Sequence, residues 1–357
     1  MWYRAIFLVM VALVCFAGVS RGEGKWTNYT SGNEIQAIAS QGKYVWVGTT
    51  GGVARWDTET ETYVNFTTAD GLADNNVLSI VVDTQGAVWF GTYSGGVSKF
   101  DGASWKTYTT ADGLSNNCIT SIAVDKHGTI WAGAYSGGVS KFDGTSWKTS
   151  LSTSIPIRSI AVDNDGIIWV GSRNWISKFD GTSWDSTTRV SSVSSIAVDK
   201  QGAIWFGTHD GVSKFDGTSW EHYTIEGDFL SNYINSIAVD NQGAIWFGTF
   251  NGVWKFDGAK WKTYISTTRI SSIAVDSQGA IWCGTNFSSI GQDSYGVLKF
   301  NGASWKTYTT EGPASNDVYS IAVDNQGAIW CGTTRGVSRF DGNMWEKVLT
   351  YEPVAKV

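Results

Sequence analysis

The chain has 357 residues with 42 glycines, only 3 prolines and 20 tryptophans, a balance that excludes disordered and collagen-like chains and suits many tight hairpins. Its net charge of −6 comes from dispersed acids rather than a tail. No basic stripe is present to neutralise phosphates, so no nucleic acid is expected as a partner.

Residues 1–22 read as a signal peptide. Arg4 gives a positive start, Ala5 to Ala17 form an apolar run, and small residues follow at Gly18, Ser20 and Gly22. The run is too short to span a bilayer comfortably, and no later stretch reaches a transmembrane length. The mature chain is therefore expected to be secreted or periplasmic, with residues 23–357 forming one domain. Beyond Cys15, the cysteines Cys118, Cys283 and Cys331 are odd in number and widely spaced, which fits neither a disulfide framework nor a metal site. Cys283 and Cys331 follow a repeat tryptophan where other copies carry Phe90, Phe206 or Phe247, and read as small apolar substitutes.

The rest of the sequence aligns on itself. The unit runs Ile-Ala-Val-Asp, two residues, Gly-Ala-Ile-Trp-Phe-Gly-Thr, two residues, Gly-Val-Ser-Lys-Phe-Asp-Gly, two residues, Trp-Lys-Thr-Tyr, most clearly from Ile237 to Tyr264. Its central tryptophans are Trp46, Trp89, Trp131, Trp169, Trp205, Trp246, Trp282 and Trp330, spaced 36 to 48 residues apart. Strand A, as at Ser236 to Val239, ends in Asp-x-x-Gly, where the Asp bonds its own backbone and the glycine closes the hairpin. Strand B is Ala-Ile-Trp-Phe, and the Asn251-Gly252 type of turn leads to strand C, Val-x-Lys-Phe. Asp257-Gly258 makes the third turn, and strand D carries Trp261 and Tyr264. No window shows helical apolar spacing. The strands are apolar on both faces, as in sheets packed between two neighbours, so the expected fold is an all-β, eight-bladed β-propeller of four-stranded antiparallel blades.

A second tryptophan series, Trp26, Trp105, Trp147, Trp184, Trp220, Trp261, Trp305 and Trp345, falls on strand D. A residue present in every unit reads as packing rather than as a ligand contact. With Tyr63 there are nine such strands for eight A-B-C units, so the Trp26 strand is expected to pair with the last blade and lock the ring. The Trp345 strand is then displaced or a fifth strand.

The motif Ser-Ile-Ala-Val-Asp-x-x-Gly-x-Ile-Trp-x-Gly-Thr-x-x-Gly-Val-x-Lys-Phe-Asp-Gly resembles the two-component regulator propeller repeat, over the chain from about Trp26 to Tyr351. The resemblance implies an extracytoplasmic sensing propeller, often for glycans, found in hybrid histidine kinases and in stand-alone exported proteins. No transmembrane helix, β-sandwich linker or kinase follows here, so signalling would need a protein partner.

Antiparallel order puts the A-B and C-D turns at one end of each blade and the B-C turns and D-to-A crossings at the other. The first set barely varies and the second varies in length and residue type, so a site is expected on the B-C/D-A face around the channel. The B-C turns offer Tyr93, Tyr135, Arg173, Trp175, His209, Asp210, Phe250, Asn251 and Arg335. The longest insertion, Asn286 to Tyr295, carries Phe287 and Asp293. Trp175 stands where other copies have glycine. Ring faces with amides and arginines suit sugars, so a glycan or other small molecule is the expected ligand. The crossing acids Asp70, Asp112, Glu226, Asp228, Glu311 and Asp317 lack calcium-loop spacing and read as solvated turn acids.

Catalysis has little support: the histidines are His127, His209 and His222, and no nucleophile elbow, metalloprotease motif or phosphate loop occurs. No catalytic residue, metal or cofactor is expected. Two alternatives remain, a cell-surface scaffold for protein partners and, less favoured, an enzyme similar to the streptogramin-inactivating lyases, whose histidine-centred metal site has no counterpart here.

Overall fold

Each repeat alternates β-branched or aromatic strands with glycine turns, and in the computed structural model it folds as one antiparallel four-stranded sheet. The structure describes residues 26–29, 34–225, 229–265, 268–286, 295–309 and 313–341. The signal peptide, Phe287, Asp293, Glu226, Asp228, Glu311 and Trp345 lie outside the described residues. Blade 6 shows the pattern, with A at Ile234–Val239, B at Ile245–Thr249, C at Gly252–Phe256 and D at Trp261–Ile265. The A strands touch in succession around the axis, and that of blade 8, Val318–Val323, touches that of blade 1, Ile35–Gln41. The result is a closed eight-bladed propeller. Its eighth blade takes its outer strand from the N-terminal side, Trp26–Tyr29, which pairs antiparallel with Gly336–Phe340 in the register Trp26↔Phe340. The closure expected from the surplus strand is the one observed.

Four devices explain why the repeat residues recur together. First, the A-B turn aspartate serves two masters. In blade 6, Asp240 Oδ1 accepts from the amides of Gln242 and Ala244, both at 2.9 Å, while Oδ2 accepts from the Trp246 indole N–H at 2.8 Å. The same indole bond recurs from Asp83 to Asp324 in blades 2 to 8. In blade 1 the hairpin is tighter, and Gln41 Oε1 replaces the carboxylate, accepting from Trp46 at 2.7 Å. Second, a cation from strand C lies over each of these indoles, as Lys255 over Trp246 at 4.9 Å and Lys299 over Trp282 at 4.6 Å.

Third, the glycine of Trp-Phe-Gly-Thr lets adjacent blades touch. A Cβ at Gly248 would lie 2.6 Å from Ile270 of the next blade, and one at Gly332 would lie 2.5 Å from Ile35 across the ring closure. Fourth, the strand A serine stitches blades: Ser236 Oγ accepts from the Ile273 amide at 3.0 Å, and Ser79 Oγ from Ile122 at 3.0 Å. The strand B tryptophans are 1 to 3% exposed, so truncating one should cost about 3–5 kcal/mol. The strand D series is less uniform: Trp147 is buried, whereas Trp105, Trp184, Trp220, Trp261 and Trp305 are half-buried at the blade edge. Cys283 and Cys331 are buried free thiols whose ionisation is pushed up by burial, in keeping with an apolar role.

Candidate functional site

The B-C turns are closed by a hydroxyl rather than by their loop residues, except in blade 3, where Ala134 stands at this position and the turn closes through its backbone amide to Gly138. Thr208 Oγ1 donates to the Gly211 carbonyl and Thr249 Oγ1 to that of Gly252. The residue after the threonine is thereby released from structural duty. Tyr93, Tyr135, Arg173, His209 and Phe250 all occupy this one position, in blades 2 to 6. Its amide is tethered to the D-to-A crossing of the same blade, as Tyr93 to Asn76 at 2.9 Å, Tyr135 to Cys118 at 2.9 Å and Phe250 to Tyr233 at 3.0 Å. Blades 8 and 1 carry Thr334 and Thr50 there, and blade 7 carries Asn286. The channel mouth is therefore aromatic and cationic along one arc and small and polar along the other.

Within the first arc the structure brings together His209, Tyr233, Phe250 and Arg269. The His209 ring stacks on Tyr233 with centroids 3.7 Å apart, Tyr233 meets Phe250 edge-on at 4.6 Å, and the Arg269 guanidinium sits 4.0 Å over Phe250. Burial and then the Arg158 charge lower the His209 pKa to about 4, against an opposing pull from Asp210. The ring is thus neutral at pH 7. Tyr233, Arg158 and Arg269 belong to the crossings and the first residues of strand A, which the sequence reading left out.

Trp175, Asp210 and Arg335 lie one or two positions further along their turns. Arg335 and Asp210 are exposed, and Tyr93 and Tyr135 are 59 and 52% exposed. Trp175 opens strand C of blade 4, Trp175–Phe179, with its amide held by Ser172 Oγ, which donates in turn to the Trp175 carbonyl. It is half-buried and has a structural tie that the glycine comparison did not anticipate. It also forms one wall of a groove of about 990 Å³ between blades 4 and 5, with Arg189, Ser191, Asp210, His222 and Tyr223.

The groove has a readable cause. Among the described side chains, five blades have an aromatic ring at the end of the strand D motif that wedges between the blade's own tryptophan and the next blade. Tyr108 stacks on Trp89 at 5.8 Å and meets Phe142 of blade 3 at 5.3 Å. Phe66, Tyr223, Tyr264 and Tyr308 do likewise. Blade 3 has Ser150 instead, which accepts from the Trp184 indole at 3.0 Å. Blade 4 has Thr187 at this place in the sequence, not an aromatic residue. The crossing beside the gap is tense: Ser192 has φ 29°, and the Ser191 and Ser192 hydroxyls are buried with no hydrogen-bond partner.

The remaining candidates have local explanations. Asp70 and Asp112 cap single 3₁₀ turns, accepting from the amides of Thr67 and Thr109 at 2.8 Å. His127 is exposed in an A-B turn, and His222 Nδ1 lies 2.9 Å from Ser213 Oγ. Among the described residues no group of three His, Cys, Asp or Glu side chains converges as a metal site, and no helix is long and apolar enough to cross a membrane.

The family profile described as the two component regulator propeller matches at residues 71–94, 113–136, 150–174, 189–210, 228–251, 264–287 and 312–335. No curated protein matches the chain. Among solved structures, the extracellular domain of a putative one component system from B. thetaiotaomicron is similar at a TM-score of 0.51 and 19% identity, covering 86% of this chain and 45% of that one. The computationally designed protein Ika8 is similar at 0.69 and 14% identity, covering 89% and 99% of the two chains. A streptogramin B lyase is similar at 0.56 and 16% identity, covering 90% and 97%. At such identities the likeness is one of fold, and the chain spans less than half the length of the first relative.

Proposed function

The chain belongs to the two component regulator propeller family, and from that premise we propose that it is an exported, non-catalytic propeller that binds a saccharide in the groove between blades 4 and 5. The observation that carries this reading is the groove's composition. A half-buried indole, Trp175, faces charged and hydroxyl groups, namely Arg189, Asp210, His222 and the unpartnered Ser191. A sugar presents a C–H patch for the ring and several hydroxyls for the polar groups, and an unsatisfied buried hydroxyl gains most from a new hydrogen bond.

The extracellular domain of a one component system among the structural relatives supports an extracytoplasmic sensing role. The non-catalytic reading rests on the chemistry at hand: His209 is held neutral within a ring stack, and His222 is engaged with Ser213. A second reading, a protein-binding scaffold, is favoured by Tyr93 and Tyr135, two exposed rings on adjacent blades, since tyrosine is frequent at interface centres.

The test is a glycan array on residues 23–357, followed by titration of the strongest hit. Trp175→Ala should weaken that hit at least tenfold while shifting the unfolding midpoint by less than about 3 °C. Unchanged affinity in a stably folded Trp175→Ala variant would remove the groove from the account, and selective capture of a protein through Tyr93 and Tyr135 would favour the scaffold.

A further inference from the structure

The C-D turns of blades 2 to 7 share one construction. In blade 6, Asp257 Oδ1 accepts from the amides of Ala259 at 3.0 Å and Lys260 at 2.8 Å, Gly258 has φ 99°, and the resulting register sets Phe256 opposite Trp261. Blade 2 repeats this with Asp101, with Gly102 at φ 102° and with the pair Phe100↔Trp105, and blade 7 does so with Asn301 in the aspartate's place. A side chain bonded to its own backbone and a glycine in the left-handed region make a turn that depends on nothing outside itself. In blades 3, 4 and 5 the same spacing sets Trp147, Trp184 and Trp220 opposite Phe142, Phe179 and Phe215. Blade 8 carries the same string, Phe340-Asp341-Gly342-Asn343-Met344-Trp345, of which residues 342–345 lie outside the described residues. The partner of Phe340 in the structure is nevertheless Trp26.

Two segments therefore specify one sheet edge. The local segment has the sequence of a regular outer strand: Trp345 is followed by Glu346, as the tryptophans of blades 2 to 7 are followed by Lys106, Lys148, Asp185, Glu221, Lys262 and Lys306. A charge on an outer strand discourages pairing with foreign strands. Trp26-Thr27-Asn28-Tyr29 carries none. A short hairpin also closes at lower entropic cost than a pairing between distant parts of the chain. In favour of Trp26–Tyr29 stands its continuation into Ile35–Gln41, the inner strand of blade 1, so that its pairing with Gly336–Phe340 fastens the first blade to the last. Local turn chemistry and ring fastening thus pull the same edge towards different strands.

We propose that Trp26–Tyr29 and the strand that begins at Trp345 are interchangeable outer strands of blade 8, which gives the propeller two closures. One closure joins the two ends of the ring through Trp26–Tyr29. The other completes blade 8 from its own C-D turn, as blades 2 to 7 are completed. Exchange proceeds by one strand displacing the other along Gly336–Phe340, so the edge stays covered throughout. The inference is independent of the saccharide reading, because blade 8 contributes nothing to the groove between blades 4 and 5.

The experiment is a double-mutant cycle on the full chain from residue 23 onward. Thr27→Pro removes a backbone donor within the first strand, and Gly342→Val opposes the left-handed backbone that the C-D turn requires. Each single variant is expected to lower the thermal midpoint by less than about 3 °C, because the other strand takes the edge. The double variant should lose at least about 3 °C more than the sum of the two. Failure of the double variant to fold, with both singles folded, counts as that excess loss. Hydrogen exchange on the single variants supplies a direct readout: the amides of 336–340 should stay as protected as in the parent, and Thr27→Pro should gain protection at 345–348. The proposal falls if the two costs simply add, if either single variant loses as much as the double, or if 336–340 exchanges faster in Thr27→Pro than in the parent.

Discussion

Substituting Asp240 tests the device that repeats around the ring. Its carboxylate uses both oxygens, Oδ1 for the amides of Gln242 and Ala244 and Oδ2 for the Trp246 indole, and Lys255 Nζ lies 3.3 Å from Oδ2. Asp240→Ala removes two amide bonds to a charged group and strands a buried indole N–H, for a cost of about 3–5 kcal/mol. Asp240→Asn is informative because it is nearly isosteric. Its single carbonyl oxygen can keep the two amides, but its NH₂ then faces the indole N–H, donor against donor. We expect a cost of about 2 kcal/mol, most of it coupled to Trp246. The assay is a double-mutant cycle with Trp246→Phe, read by equilibrium unfolding in urea. In the Trp246→Phe background the Asp240→Asn cost should shrink by at least about 1 kcal/mol. Strictly additive costs would show that the turn aspartate and the indole stabilise the blade independently, and the shared-carboxylate reasoning would be refuted.

Two further outcomes follow from the structure. Gly248→Ala should destabilise by about 1–3 kcal/mol, because its Cβ would lie 2.6 Å from Ile270 and the blades cannot part locally; a melt within 1 °C of the parent would contradict this. His209 has a depressed folded pKa, about 4 against an ordinary 6.5, so the unfolded chain binds the proton more readily and stability falls as pH drops from about 6.5 towards 4. His209→Phe keeps the ring stack and should remove about 1–2 kcal/mol of that pH-dependent loss, reduced by solvent screening of the partly exposed ring, measured by urea unfolding at pH 7 and pH 4.5; an unchanged pH slope would contradict the burial of this ring.

The blades were readable from sequence because every copy repeats the residues its packing needs, and Trp246 or Gly248 means the same thing in each. The closure was readable as well, since a ninth strand at Trp26 had no blade of its own. The candidate site was readable only on its B-C side. Tyr93, Tyr135, Arg173, His209 and Phe250 stand at a fixed distance after a strand B tryptophan, so alignment exposes them. Tyr233 and Arg269 sit in crossings of varied length, and their meeting with His209 and Phe250 depends on two loops of a blade lying side by side. The groove was hidden for a different reason. Its signal is a missing ring at Thr187, and a repeat reading attends to what recurs. Trp175 was found as an exception to glycine, but its partners Arg189, His222 and Tyr223 lie on strand D, where alternation alone does not say which side chains look into a gap between blades.

The most direct test of ligand binding at the variable end is hydrogen exchange on the chain with and without a saturating saccharide hit from the array. Slowed exchange at residues 173–176, 189–192, 208–212 and 222–224 is the expected result. Protection confined to the A-B and C-D turns, such as 83–87 and 101–105, would place the ligand on the opposite end of the ring and contradict the account.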